Sequence, residues 1–178
     1  NKEEKIPFRN TFLESFPSLV GTCMLPDRDI LFTDSYLNRI FRFNPLARRP
    51  EIFYLNDTLL LEQPTGIAYS DKHNNIWVLE TKAHRVSILD PEGRLLKRFG
   101  ERGSAPGQFN YPTHIWIDNR GYAFVVDAMN FRVQIFDDMG VFISSFGEAG
   151  DASGYFSRPK GIACDSYGHI YIADALFH

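Results

Sequence analysis

Apolar residues in this chain come in short runs of five or six, and turn-forming residues separate the runs at close intervals. Residues 107–147 show the pattern best. His114-Ile115-Trp116-Ile117-Asp118 is a β-rich run, and Asn119-Arg120-Gly121 is a turn in which Gly supplies a positive φ. Tyr122 to Asp127 reads as a second strand, Ala128 to Phe131 as a loop, and Arg132 to Phe136 as an alternating third strand. Asp137-Asp138-Met139-Gly140 is another turn, before a fourth strand from Val141 to Phe146. The spacing therefore predicts four short antiparallel strands, with no helical periodicity.

The same unit recurs. Pro64-Thr65-Gly66-Ile67-Ala68 returns as Pro112-Thr113-His114-Ile115-Trp116 and as Pro159-Lys160-Gly161-Ile162-Ala163, in steps of 48 and 47 residues. A worn first copy is read at Pro17, 47 residues before Pro64. Asp34, Glu80, Asp127 and Asp174 keep the same beat. Arg39-Ile40, Arg85-Val86 and Arg132-Val133 follow the first three of them. A four-stranded meander repeated at this length is a β-propeller blade. One blade cannot bury both of its faces, so neighbouring blades must stack, and their inner strands must be apolar on both sides. The blades are expected at about 17–63, 64–111 and 112–158, with a partial blade at 159–178. Residues 1–16 read as a charged tail running into a candidate closing outer strand.

Gly-x-Phe-x-x-Pro-x-Gly-Ile-Ala-x-Asp, then Gly-x-Ile-Tyr-x-x-Asp, Arg-Val-x-x-Phe-Asp and Phe-Gly together resemble the NHL repeat. Residues 154–174 match best, and the resemblance covers roughly residues 17–178. Glu80 departs from the usual Asp. The resemblance implies an all-β fold, an NHL-type propeller of six four-stranded antiparallel blades, of which about three and a half are present. Six blades need about 280 residues. Three arrangements stay open: a partial chain, two chains closing one ring, or an incomplete propeller capped by another protein. Open blade edges would favour self-association.

Composition narrows the function classes. A net charge of −3 and a pI near 5.9 give no basic footprint, which argues against nucleic acid and against an RNA-binding NHL domain. No apolar run reaches the length of a membrane span. Cys23 and Cys164 lack metal-ligand spacing and are expected as buried thiols, with a disulfide as the alternative. The chain begins at Asn1, which suits either a removed leader or simple trimming.

The recurring acids could form a ring of metal-binding carboxylates. A residue needed in every blade is better explained as scaffold, accepting backbone N–H groups at a strand end. Departures from the repeat are better functional candidates. His114 stands where two other copies have Gly, and Trp116 where they have Ala. Both are expected to line or plug the central channel. No catalytic residue, metal site or cofactor is nominated, since Gly-x-Ser-x-Gly and His-Glu-x-x-His are absent.

The loops between second and third strands share one face with the blade-to-blade connections. Tyr36, Leu37, His84, Met129, Phe131, Leu176 and Phe177 make that face apolar and aromatic, the composition of an interface core. The leading expectation is a non-catalytic protein-interaction scaffold. The alternative is a channel-centred lyase or lactone hydrolase completed by further blades. The end of the chain, Tyr171 to His178, also resembles bacterial NHL proteins linked with multihaem cytochrome systems. That likeness implies a multihaem cytochrome or other envelope partner, and a periplasmic or extracellular location over a cytoplasmic one.

Overall fold

The computed structural model describes residues 18–53, 60–165 and 167–175. The first sheet comprises β1 (Leu19–Met24), β2 (Ile30–Asp34), β3 (Arg39–Asn44) and β4 (Arg49–Ile52). The second comprises β5 (Pro64–Ser70), β6 (Asn75–Glu80), β7 (Arg85–Leu89) and β8 (Leu95–Phe99). The third comprises β9 (Pro112–Ile117), β10 (Ala123–Asp127), β11 (Arg132–Phe136) and β12 (Phe142–Phe146). β13 (Pro159–Cys164) pairs with β14 (Ile170–Asp174) in a two-stranded sheet. Every sheet is an antiparallel meander in chain order, and one 3-10 turn, Ala128–Asn130, is the helical element among the described residues. The expected tail at 1–16 and the residues Leu176, Phe177 and His178 lie outside the described residues.

The first strand of each sheet packs beside the first strand of the next, so the sheets stack as blades around β1, β5, β9 and β13. Because strand side chains alternate, each inner strand serves two neighbours. Ile115 and Ile117 of β9 pack toward the second blade with Trp77, Leu79 and Phe136. Phe124 and Val126 of β10 face the fourth blade and pack with Ile162. Between the first two blades, Leu31, Ile40, Phe53, Ile67 and Val78 form the corresponding core.

Strand register corrects one reading. Pro64 pairs with Glu80, Pro112 with Asp127 and Pro159 with Asp174, but it is Leu19 that pairs with Asp34. The first copy is therefore in step at Leu19, two residues after Pro17, which itself lies outside the described residues. Gly21 then corresponds to Gly66 and Gly161. A Cβ on Gly21 would stand 2.1 Å from the Thr65 carbonyl oxygen, and one on Gly66 3.0 Å from the Ile115 nitrogen. Inner strands of adjacent blades approach too closely there for a side chain.

The recurring acids are fully buried in the first three blades, and each fastens its own blade's beginning. Asp127 accepts the Asn110 N–H at 2.6 Å and holds Arg132 Nε at 2.9 Å. Glu80 accepts the Glu62 N–H at 2.9 Å and takes both Arg85 Nε and Nη2, at 2.9 and 2.8 Å. Asp174 accepts the Ser157 and Arg158 N–H groups at 2.8 and 2.9 Å. Asp34 accepts the Ser18 N–H at 3.4 Å and also holds the Tyr36 and Leu37 N–H groups at 3.0 and 2.9 Å, while Arg39 is exposed.

A hydroxyl relay joins the second blade to the third. Thr65 Oγ1 and Thr81 Oγ1 lie 2.6 Å apart, and Thr81 donates to the Pro112 carbonyl at 2.6 Å. In the next copy Ala128 stands at the position of Thr81, and Thr113 Oγ1 is left buried without a partner. Ala128→Thr would give Thr113 that partner and offer a donor to Pro159. We expect it to add about 1 kcal/mol of stability, seen as a rise of about 2–4 °C in the thermal midpoint; an unchanged or lower midpoint would count against the relay.

The connections 100–111 and 147–158 repeat one loop design. The Phe109 N–H donates to the Glu101 carbonyl at 2.8 Å, and the Phe156 N–H to that of Glu148 at 2.7 Å. Each Phe ring lies against a Gly at positive φ, Gly100 at +91° and Gly147 at +97°. A Cβ on Gly100 would meet Phe109 Cε2 at 2.5 Å. The Phe-Gly and Gly-x-Phe signatures are thus two halves of one contact.

Candidate functional site

Every 2–3 loop and every blade connection emerges on the same face, because an even number of strand reversals separates them. The last residue of each complete 2–3 loop takes the left-handed conformation: Asn38 at φ 56°, His84 at 54° and Phe131 at 54°. This turn throws the middle residues outward. Tyr36 is 74% exposed and Met129 55%, whereas Leu37 and Phe131 are half-buried. His84 does not present itself on this face, because it is only 7% exposed. Its Nδ1 accepts the Tyr111 N–H at 3.1 Å, and its ring meets the Tyr111 ring edge-on at 4.7 Å. The connection folds back over His84, and Tyr111 takes the exposed place instead.

Hydrogen bonds stitch this face together along the stack. The Gln63 N–H donates to Asn38 Oδ1 at 2.7 Å, the Met129 N–H to the Asn110 carbonyl at 3.0 Å, and Asn130 Nδ2 to the Gly103 carbonyl at 2.8 Å. Leu60, Tyr111 and Tyr155 of the connections are exposed beside Tyr36 and Met129. The opposite face also carries exposed apolar side chains, Leu46, Met139 and Tyr167 among them. There they alternate with turn carboxylates: Asp90, Asp118, Asp137 and Asp165 each accept N–H groups of their own turns.

His114 and Trp116 lie on β9 opposite Val126 and Phe124. They therefore face the fourth blade as well as the inner groove, so a purely channel-lining placement is too simple. Both line a groove of about 920 Å³ along the inner strands, with Cys23, Tyr69 and Ile162. Trp116, 38% exposed, also walls a second cavity of about 450 Å³ between the third and fourth blades, with Arg120, Cys164 and Tyr167. The small pair Gly66 and Ala68 lets the second and third blades close together, and the His–Trp pair accompanies the open cavity at the next junction.

Electrostatics follow from burial. Desolvation pushes the His114 imidazole below its ordinary value, so the ring is neutral at pH 7. NMR titration of His114 is expected to give a midpoint below about 6.5. Because protonation is favoured in the unfolded chain, this group's contribution is present above that pH and is lost as pH falls; a midpoint at or above 6.5 would contradict the burial. Desolvation pushes the Cys23 thiol up to about 12, and burial with Asp118 and Asp165 raises Cys164. Both cysteines are free thiols. A hydrogen bond from His169, against the opposing effect of burial, holds the Asp165 carboxyl at about 2. No group of three or more His, Cys, Asp or Glu side chains among the described residues is arranged to hold a metal ion. No helix among them is long and apolar enough to cross a membrane.

No known family model matches the chain. Over 55 residues it is 38% identical to the protein brain tumor of Drosophila melanogaster, and over 59 residues 36% identical to the human E3 ubiquitin-protein ligase NHLRC1. These matches cover 31% and 33% of the chain, but only 5% and 15% of those proteins. A solved Bacteroides thetaiotaomicron protein of unknown function superposes with a TM-score of 0.75 at 19% identity, over 90% of this chain and 46% of its own. A Staphylococcus aureus virginiamycin B lyase gives 0.67 at 17%, over 88% and 48%. A chain of the nidogen/laminin complex gives 0.68 at 18%, over 88% and 57%. The chain thus spans about half the length of these solved structures. At such identities the structures establish the fold. With its registered copies of one four-stranded unit, the chain has a β-propeller fold, and its repeats are similar to those of NHL-repeat proteins.

Proposed function

We propose that this propeller is a non-catalytic protein-interaction scaffold whose partner face is built from the 2–3 loops and the blade connections. One observation carries the reading: Tyr36, Leu60, Tyr111, Met129 and Tyr155 expose large apolar side chains along one hydrogen-bonded face. Exposed aromatic and Met side chains with few charges are what a partner buries at an interface core. The nidogen/laminin neighbour supports the class, since that structure is itself a protein complex. In keeping with the sequence resemblance, the partner is an envelope protein, a multihaem cytochrome first among them, met in the periplasm or outside the cell.

The test is retention of a partner from periplasmic and secreted fractions by the wild-type chain and by Tyr36→Ala/Met129→Ala. Neither side chain supports the core, so the thermal midpoint should stay within about 1 °C, a surface-level effect. Retention is expected to fall at least about tenfold, the loss of roughly 1.4 kcal/mol of binding. Equal retention by the double variant would overturn the reading.

A second reading rests on the inner groove, where His114 is half-buried and neutral beside Trp116. Two solved neighbours are a virginiamycin B lyase and a gluconolactonase. Turnover of a lactone or lyase substrate that His114→Ala abolishes would favour this enzyme over the scaffold.

A further inference from the structure

The third and fourth blades do not close on each other as the second and third do. Their junction holds the cavity of about 450 Å³, on the face opposite the 2–3 loops. That volume falls within the roughly 300–1,000 Å³ of small-molecule sites. Residues at matched register explain the difference. On β5, Gly66, Ala68 and Ser70 point to the third blade, and all three are buried. One repeat on, β9 and the residue after it put His114, Trp116 and Asp118 at those places. Trp116 stays 38% exposed and forms one wall. Across the gap the fourth blade supplies Asp165 and Tyr167, where the third blade has Asp118 and Arg120. This junction is therefore open, aromatic and acidic together.

We propose that this cavity binds a quaternary ammonium cation, its methyl groups against Trp116 and Tyr167 and its charge in the field of Asp118 and Asp165. The carboxylates decide which class of cation fits. Asp118 accepts the Arg120 and Tyr122 N–H groups at 3.0 and 2.9 Å, and Arg120 Nε at 2.9 Å. Asp165 accepts the Tyr167 and His169 N–H groups, both at 2.9 Å. Its other oxygen lies 2.8 Å from His169 Nδ1 and takes the Tyr171 hydroxyl at 3.1 Å. A primary ammonium must donate hydrogen bonds, and these oxygens are already engaged. A quaternary ammonium donates none; aromatic faces and nearby negative charge are what hold it. Arg120 offsets part of that charge, but its guanidinium is tied to Asp118 and lies over the Tyr122 ring at 5.1 Å. The negative field reaches the cavity all the same. Burial first, and then the charges of Asp118 and Asp165, raise the Cys164 thiol in its wall, with Arg120 opposing them. The site lies away from the loop face and stands without the partner reading.

The probe is choline, with its uncharged isostere 3,3-dimethylbutanol and its primary-amine counterpart ethanolamine as controls. The chain has two tryptophans, Trp77 buried between the second and third blades and Trp116 at the cavity. Their indole N–H signals in NMR give one reporter and one internal reference. Choline should shift the Trp116 signal saturably and leave that of Trp77 in place. Dimethylbutanol and ethanolamine should each need at least about tenfold higher concentrations for the same shift. Asp165→Asn keeps an acceptor oxygen for its turn and removes the charge. It should weaken choline at least about fivefold, with an unmoved Trp77 signal showing that the fold persists. Trp116→Leu should abolish the heat of choline binding in calorimetry. No saturable Trp116 shift by about 100 mM choline would overturn the proposal. Equal binding of dimethylbutanol would make this a plain apolar cavity, and tighter binding of ethanolamine a hydrogen-bonding site; either result would overturn it.

Discussion

Replacing Glu80 with Ala is expected to cost about 3 kcal/mol of folding stability, at the lower end of the roughly 3–5 kcal/mol for breaking a buried ion pair. Glu80 is fully buried, and its two oxygens take Arg85 through two hydrogen bonds, the Ser87 hydroxyl at 2.5 Å and the Glu62 N–H. Arg98 lies 3.3 Å away and also holds the Leu60 carbonyl. Removing the carboxylate leaves this cluster of donors, including the Glu62 N–H at the start of the blade, without an acceptor. Both arginines are partly exposed and can turn to water, which keeps the loss near the lower end. Glu80→Asp, which restores the residue used in the other blades, should cost less, about 1 kcal/mol. Its shorter side chain cannot keep Ser87 and Arg98 together with Arg85. Urea unfolding midpoints at pH 7 measure both.

The pH dependence has a definite sign. Burial opposes ionisation of Glu80, but hydrogen bonds from Arg85, Ser87 and the Glu62 N–H outweigh it, and the carboxyl is held below its ordinary 4.5. A carboxyl depressed in the folded state contributes stability that is present above 4.5 and is lost as pH falls through the lower folded value. Wild type should therefore lose more stability than Glu80→Gln between pH 5 and pH 3. Parallel curves for the two proteins would contradict the buried cluster.

Phe109→Ala is expected to cost about 4 kcal/mol, within the range for emptying a fully buried aromatic site. The Phe109 ring is fully buried and packs against Phe136 at 5.6 Å and Phe99 at 6.4 Å, and Phe99 meets Trp77 at 5.7 Å. Its loss opens a cavity at the junction of the second and third blades and frees the connection that carries Tyr111. Phe156 holds the equivalent place one blade on, but it is half-buried. Phe156→Ala should cost about 2 kcal/mol. Equal losses at the two positions would show that the connections, and not the blade junctions, set the energy.

The sequence pattern made the blades visible because every blade solves the same backbone problem. An acid ends each second strand, and a Gly stands at the close approach of inner strands at Gly21 and Gly66. The first copy was harder to place. Its starting point depends on Leu19 pairing with Asp34, and a Pro two residues earlier imitates the marker. The loop face was legible in part, through Tyr36 and Met129. His84 misleads because its burial comes from Tyr111, 27 residues away, a contact that no local pattern announces. His114 and Trp116 were visible as departures from the repeat. Which blade they face followed only from the register of β9 against β10. The exposed place of Tyr111 was missed altogether; its position just before Pro112, at a positive φ of 52°, was the available signal.

What recurs in this chain holds the blades together, and amide hydrogen exchange tests that most directly. The Glu62, Asn110 and Ser157 N–H groups lie outside the strands, and each is held by the acid of its own blade. They should exchange at least about a hundredfold more slowly than exposed loop amides, which corresponds to about 2.7 kcal/mol of local protection. Asp127→Ala should release Asn110 and leave Ser157 protected. Free exchange of all three amides in the wild-type chain would contradict the scaffold role of the recurring acids.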